Sequence, residues 1–365
     1  MRLLIVSAPF KQRFFEEMLK FMTVDAQIIL LNEFYDKHGL RLPMKLPWKK
    51  ICAFEPDTVL TDCFHYPQLY SNLYKKLKKK NMRIFTHLRG NLWIETDFYF
   101  KNLLRRKFWV DNKYKSDWLY KIIEIPAYYL HYIFLANRAI RMSDMVLPVC
   151  RWLEDEIHRR IPGMKTEVMY QGVNPDIFYP DKPHEWEHPS VAIIQNHSIY
   201  LKTKGLIDFH GVIERLPHVH FYIAGGESWG GGYFRFVREA LGKYENVHFI
   251  GNVPHPEGVR RALSACDIYA IPSGLDCCPY TVLEASLCEK PVLGSRIGGI
   301  PELIREGETG WTIPNENVDE WVDRISLLLE DEALSRKMGK EGRKFVAEKF
   351  SWKVIARQLE TILKS

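Results

Sequence analysis

Short apolar runs alternate with amphipathic helical segments along both halves of this chain, and that alternation constrains the fold more than any other feature. In the first half, Leu3–Ser7, Ala26–Leu31, Thr58–Thr61, Met82–Thr86 and Met145–Val149 read as strands, with helical patterns over Phe14–Phe21 and Leu69–Lys79. In the second half, Val191–Gln195, His220–Ala224, Val247–Ile250, Ile268–Ile271 and Pro291–Gly294 read as strands. Leu206–Leu216, Glu257–Ala265 and Thr281–Cys288 are helical between them, and the tail from Glu332 is helical in pattern. Continuously apolar strands separated by helices belong to parallel sheets covered on both faces, so the expected class is α/β. A length of 365 residues suits about two such domains. Asn174–Ser190 holds four prolines among mostly polar residues, which marks a linker, and the expected boundary is near residue 185.

Charge divides along the same line. Residues 1–180 hold 29 Lys and Arg against 19 Asp and Glu, a net +10, whereas residues 181–365 carry −4. A basic half suits nucleic acid, an anionic membrane surface or phosphorylated substrates, and charge alone does not choose. No stretch approaches the 18 or so apolar residues of a spanning helix. The apolar run after Met1 and Arg2 is too short for a signal peptide, so a cytoplasmic location is expected. Seven cysteines, odd in number and without paired zinc spacing, fit a reduced compartment better than a disulfide framework.

The densest chemistry lies between Ile271 and Pro314. A strand ends at Ile271, a short loop follows, and Pro279 stands where a helix begins, a position at which its missing N–H costs nothing. The amides of Tyr280 and Thr281 then form an anion site at the helix start. Glu284, one turn in, leans back toward that anion. An acceptor-only carboxylate beside a phosphate suits the hydroxyls of a ribose, and Asp276, eight positions earlier, suits those of a second sugar. Gly298-Gly299 allows close backbone approach, and a helix is expected from Pro301.

This segment resembles the donor-binding region of glycosyltransferase family 4, retaining enzymes of the GT-B fold. Their series of P-S, E-x7-E, P-V, G-G-x-x-E and G-x-x-G is matched by Pro272-Ser273, Asp276-x7-Glu284, Pro291-Val292, Gly298–Glu302 and Gly307–Gly310. Lys204-Gly205 looks like the family's K-G, whose lysine binds the donor diphosphate. Gln171–Asn174 with Phe178 resembles its Asn-Gly-Val-Asp … Phe, and Phe350-Ser351-Trp352 its F-S-W. The resemblance implies two Rossmann-like domains facing across a cleft. An acceptor domain at 1–185 would be rejoined by a C-terminal helix at 351–365, with a donor domain at 186–350. It also implies a nucleotide diphosphate sugar as donor (UDP- or GDP-linked), no cofactor and no metal. Asn196, Lys204, Asp276, Cys278, Tyr280, Thr281 and Glu284 would bind the donor, with Lys204 and Asp276 also catalytic. The chain departs from the family at Asp276, one methylene shorter than glutamate, and at Cys277-Cys278-Pro279, where Pro279 offers no N–H. Asn196 and His197 stand where an arginine usually accompanies the lysine.

In the basic half, Thr86–Gly90 ends a strand, and the carboxyl ends of α/β strands are where ligands bind. The resemblance makes His87 a third catalytic residue, facing the donor sugar from the acceptor side; a hydrogen-bonded loop histidine is the other reading. Arg89 suits an acceptor phosphate or carboxylate, or an internal salt bridge. Residues 92–134 mix aromatic and basic side chains, and Lys75–Lys80 adds five lysines. Both suit a peripheral membrane surface or a core-packed insert with a solvated helix end. No nucleic-acid motif accompanies the charge. Gly225–Gly232 reads as a phosphate- or sugar-approaching loop or a surface loop. The string His184-Glu185-Trp186-Glu187-His188 matches H-E-x-x-H, but Pro183 and Pro189 bracket it, so it reads as a chance match.

The expected function is retaining transfer of a sugar to a sugar or lipid-linked acceptor. Sugar-nucleotide epimerisation and non-catalytic sugar-nucleotide or glycan binding are the alternatives.

Overall fold

A computed structural model describes residues 1–7, 12–30, 48–62, 67–90, 93, 125–195, 200–225 and 233–365. The chain forms two compact units, Met1–Met169 with Ala356–Ser365, and Tyr170–Ile355.

The first unit is built on five parallel strands: β1 (Arg2–Ser7), β2 (Asp25–Leu30), β3 (Thr58–Asp62), β4 (Arg83–Leu88) and β5 (Met145–Pro148), in the order β2-β1-β3-β4-β5. Interior strand β1 carries Leu3, Leu4, Ile5 and Val6, all fully buried, which is why its sequence shows no polar alternation. Helices α1 (Gln12–Leu19), α2 (Trp48–Phe54), α3 (Pro67–Lys78), α4 (Ile125–Met142) and α5 (Arg151–Arg160) lie between or after these strands. The strand expected to stop at Thr86 runs on to Leu88, because His87 and Leu88 pair with Leu147 and Pro148 of β5.

The second unit holds six parallel strands: β6 (Ser190–Ile194), β7 (His220–Ala224), β8 (Val247–Gly251), β9 (Ile268–Ile271), β10 (Val292–Ser295) and β11 (Gly310–Ile313), in the order β11-β10-β9-β6-β7-β8. Its helices are α6 (Tyr200–Asp208), α7 (His210–Arg215), α8 (Tyr233–Leu241), α9 (Glu257–Ala265), α10 (Tyr280–Leu287), α11 (Val318–Glu330) and α12 (Glu332–Phe350); α13 (Trp352–Lys364) continues into the first unit. Trp321 of α11 is fully buried and meets Phe209 edge-to-face with centroids 5.0 Å apart. Each such side chain contributes about 1.5–3 kcal/mol of burial energy.

Two local expectations change. The helix expected from Pro301 is a single 3-10 turn, Ile300–Leu303, because the chain reverses at Gly307 (φ 75°) to add β11 beside β10. The linker expected around residue 185 lies within the second unit. Its start is strapped down there: Val173 N donates to Phe350 O (2.9 Å), Trp352 N to Val173 O (3.0 Å), and Arg343 to the carbonyls of Pro175 and Phe178.

Candidate functional site

The carboxyl ends of β6 and β9, with the start of α10, form the candidate donor site of the second unit. Pro279 caps α10 in an extended conformation (φ −68°, ψ 123°), so the helix opens at Tyr280 and its first amides have no partner within the helix. Those amides and the helix dipole favour an anion there. Glu284 is 2% exposed, yet its carboxylate is held rather than stranded: Oε1 accepts from His255 Nε2 at 2.8 Å. His255 lies in the turn between β8 and α9, over the Phe178 ring (centroids 5.6 Å apart). A carboxylate has two oxygens and about four acceptor positions, so this bond leaves capacity for ligand hydroxyls. The Tyr269 hydroxyl ties the site's floor together, bonding Ile194 O at 3.1 Å and Thr281 Oγ1 at 2.6 Å. Burial raises its pKa far above the ordinary phenol value, so it stays neutral.

The loop before α10 is fixed from several sides. Asn315 Nδ2 donates to Ser273 O (3.0 Å), Gly299 N to Asp276 O (3.0 Å), and buried Gln171 Nε2 to Cys278 O (2.6 Å). Gly298 has φ 59°, and a Cβ there would stand 2.0 Å from Asp276 O, so the Gly-Gly turn and the Asp276 loop require each other. Gly205 does the same for α6: a Cβ would lie 2.3 Å from Gly274 N and 2.5 Å from Pro272 O. That approach brings the middle of α6, where Lys204 stands beside Gly205, against the loop before α10. Lys204 is exposed and paired with Asp208. The Cys278 side chain is buried, leaving its backbone as the part already engaged. Thus Lys204, Asp276, Cys278, Tyr280, Thr281 and Glu284 sit on elements that touch, while Asn196 and the loop 226–232 lie outside the described residues.

Sequence reasoning missed His255 and Gln195. Gln195 directly follows β6, is 8% exposed, and neither its amide oxygen nor its nitrogen meets a partner among the described residues. A buried orphan amide at a strand's ligand-binding end is costly unless a ligand satisfies it. Its signal was only position, the residue after a continuously apolar strand; His255 left none beyond its place in a strand-end loop.

In the first unit, β3 and β4 bring Asp62, His87 and Arg89 together. Arg89 Nε lies 3.0 Å from Asp62 Oδ1 and 3.3 Å from His87 Nδ1, with its guanidinium carbon 3.4 Å from the Phe14 ring centroid. His87 is fully buried, with Nδ1 3.4 Å from Asp62 and Nε2 3.4 Å from Met169 O. Burial pushes its pKa below the ordinary value, with Arg89 adding to the effect, so the ring is neutral. Of the two readings of Arg89, the structure shows the internal salt bridge. Asp62 was missed; its signal was an acid closing the run Val59-Leu60-Thr61.

Lys75, Lys76, Lys78, Lys79 and Lys80 are exposed while Leu77 is buried. Most of the aromatic insert at 92–134 lies outside the described residues; Trp93 is buried and donates to Asn137 Oδ1 (2.9 Å), and Phe134 is 64% exposed. No described helix is long and apolar enough to cross a membrane. The six described cysteines are free. The H-E-x-x-H string forms no helix: His188 bonds Asp267 (2.7 Å) and His184 stacks on Trp186.

Comparison with known proteins agrees with this architecture. Residues 196–345 match the family model of glycosyl transferases group 1. The N-acetyl-alpha-D-glucosaminyl L-malate synthase of Bacillus anthracis is 35% identical over 238 residues, 62% of this chain and 61% of that protein. Sucrose-phosphate synthase from Thermosynechococcus elongatus superposes with a TM-score of 0.73 at 17% identity, covering 100% of this chain and 98% of that one. Anabaena HepE in complex with UDP-glucose superposes at 0.70 and 16% identity, covering 100% and 99%. The chain therefore has the GT-B fold, and its second unit resembles the glycosyl transferases group 1. It spans less than two thirds of the length of the curated relatives it matches.

Proposed function

We propose that the protein transfers a sugar, with retention at the anomeric carbon, from a nucleotide diphosphate sugar to a sugar or lipid-linked acceptor. The observation that carries this reading is the amino end of α10, which lies beyond the carboxyl end of β9 and stands one turn from the buried carboxylate of Glu284. Phosphate on the amides and ribose hydroxyls on the acid is the ligand such a pairing suits. Lys204 neutralises the departing diphosphate, whose charge grows in the transition state. Asp276, with the backbone at Cys278, holds the donor sugar, and Asn196 adds to the diphosphate side. The orphan amide of Gln195 supports a ligand at this strand end. HepE, crystallised with UDP-glucose, supports a UDP-sugar as donor. The helix amides and Lys204 supply the positive charge, so transfer proceeds without a metal ion. The first unit takes the acceptor, with His87 positioned by Asp62 and Arg89, and the exposed lysines at 75–80 support docking on an anionic membrane face.

The test is incubation with UDP- and GDP-sugars, with and without an acceptor panel, reading nucleoside diphosphate release and product configuration by NMR. Acceptor-dependent release with a retained anomeric centre, unchanged by chelator, is expected. Sugar isomerisation without nucleotide release, or donor binding with no turnover on any acceptor, refutes the reading. Flotation with vesicles of graded anionic lipid checks the membrane face, which is refuted by no association at low salt.

A further inference from the structure

At the amino end of the second sheet, β7 and β8 place two histidines beside the linker that covers them. His220 opens β7, and His248 is the second residue of β8, the strand at the sheet's edge. His248 pairs in register with Tyr222, so His220, Tyr222 and His248 share one face of the sheet. The linker lies on that face: Trp186 stacks on Tyr222 (centroids 4.0 Å, 7° between planes), Tyr222 stacks on His248 (4.6 Å), and Glu187 N donates to the Tyr222 hydroxyl (2.8 Å).

This packing leaves His220 Nδ1 3.0 Å from His248 Nε2, with the Glu187 carboxylate 3.6 Å from the other His220 nitrogen. One ligand atom from each of the three residues lies within 4.8 Å of the others. Two imidazole nitrogens facing each other so closely share either one proton or one cation. A tetrahedral zinc with bonds of about 2.0–2.1 Å sets its ligand atoms roughly 3.3 Å apart, close to the separation of the two nitrogens here. The Glu187 side chain is 72% exposed, so a change of rotamer brings its oxygen to the ion. The residue types select the ion: two imidazoles and one carboxylate suit zinc and its first-row neighbours rather than magnesium or calcium.

We infer that Glu187, His220 and His248 form a binding site for a divalent transition metal, zinc above all, with three protein ligands and a solvent-open fourth position. The ion staples the linker to the exposed edge of the second sheet. It lies at the amino end of these strands, away from the carboxyl-end loops of the donor site, so its role is structural. Of the H-E-x-x-H string only Glu187 takes part, since His184 and His188 have other partners.

The test uses the full chain, free of any histidine tag, stripped with chelator and titrated with Zn²⁺ against a chromogenic competitor. One equivalent per chain is expected, with a rise in melting temperature and, for Co²⁺, the absorption of a tetrahedral nitrogen–oxygen site. Glu187→Gln, an exposed change that cannot disturb packing, and His248→Ala should each weaken affinity by more than about tenfold. His184→Ala should leave it unchanged. Absence of a zinc equivalent, retention of it in His248→Ala, or its loss in His184→Ala overturns the site and returns the two rings to a simple N–H···N bond.

Discussion

Replacing Glu284 with glutamine changes one charge at constant volume in a side chain that is 2% exposed. No cavity forms, so what is lost is electrostatic. The bond from His255 Nε2, now 2.8 Å, passes from charge-assisted to neutral. Bonds to charged groups contribute about 1.5–3 kcal/mol against about 0.5–1.5 for neutral ones, so folding stability should drop by roughly 1 kcal/mol. The larger effect falls on the ligand. If the amide turns its oxygen to His255, its NH2 faces hydroxyls that had been donating to the acid. Loss of such a bond weakens nucleotide binding by about 1.5–3 kcal/mol, roughly ten- to 150-fold in Kd. Calorimetric titration with UDP, alongside urea unfolding, measures both. Affinity within twofold of wild type in a folded variant would refute the ribose role and leave Glu284 as a structural partner of His255.

Lys204→Ala should lower kcat by at least about tenfold while UDP affinity falls less, because a cation on the leaving group acts most where charge develops; steady-state kinetics beside UDP titration check it. Gly205→Ala forces a Cβ against backbone of the Asp276 loop, so the melting temperature should drop by the equivalent of about 1–3 kcal/mol, together with donor affinity. His87 has a folded pKa below its unfolded value of about 6.5, so the unfolded chain binds the extra proton. Its contribution is therefore complete above pH 6.5 and is lost as pH falls below that. Denaturant titrations from pH 8 to 5 should show this slope in the native chain and a shallower one in His87→Asn.

The strands were legible because a strand buried on both faces is almost wholly apolar: β9 appears with the limits its apolar run gives, and β7 likewise, with only His220 at its open end polar. The helix behind Pro279 was legible for a similar reason, since proline forbids continuation from upstream. β11 was not, because Gly310-Trp311-Thr312-Ile313 is four residues long and takes its strand character from pairing with β10. His87 illustrates a different limit. Sequence placed it at a strand end, but its burial follows from two further residues of pairing with β5 and from Asp62 on the neighbouring strand. The His255–Glu284 bond joins residues 29 positions apart through a turn whose course no local pattern encodes.

The last helix sets an order of events during synthesis. Leu359, Ile362 and Leu363 of α13 are buried, Glu360 accepts from Thr23 N (3.1 Å), Arg83 donates to Leu363 O (2.9 Å) and Gln358 to Val168 O (2.9 Å). All these bonds lie within the first unit. Its sheet leaves the ribosome first, yet the helix that seals it follows only after the whole second unit has been translated. The nascent first unit therefore waits with an open apolar face, and the second unit can finish folding before it. A fragment ending at Met169 keeps that face uncovered permanently, so the two halves are not interchangeable parts: the second unit stands to be excised and studied alone, whereas the first is obtainable only with its distant helix supplied.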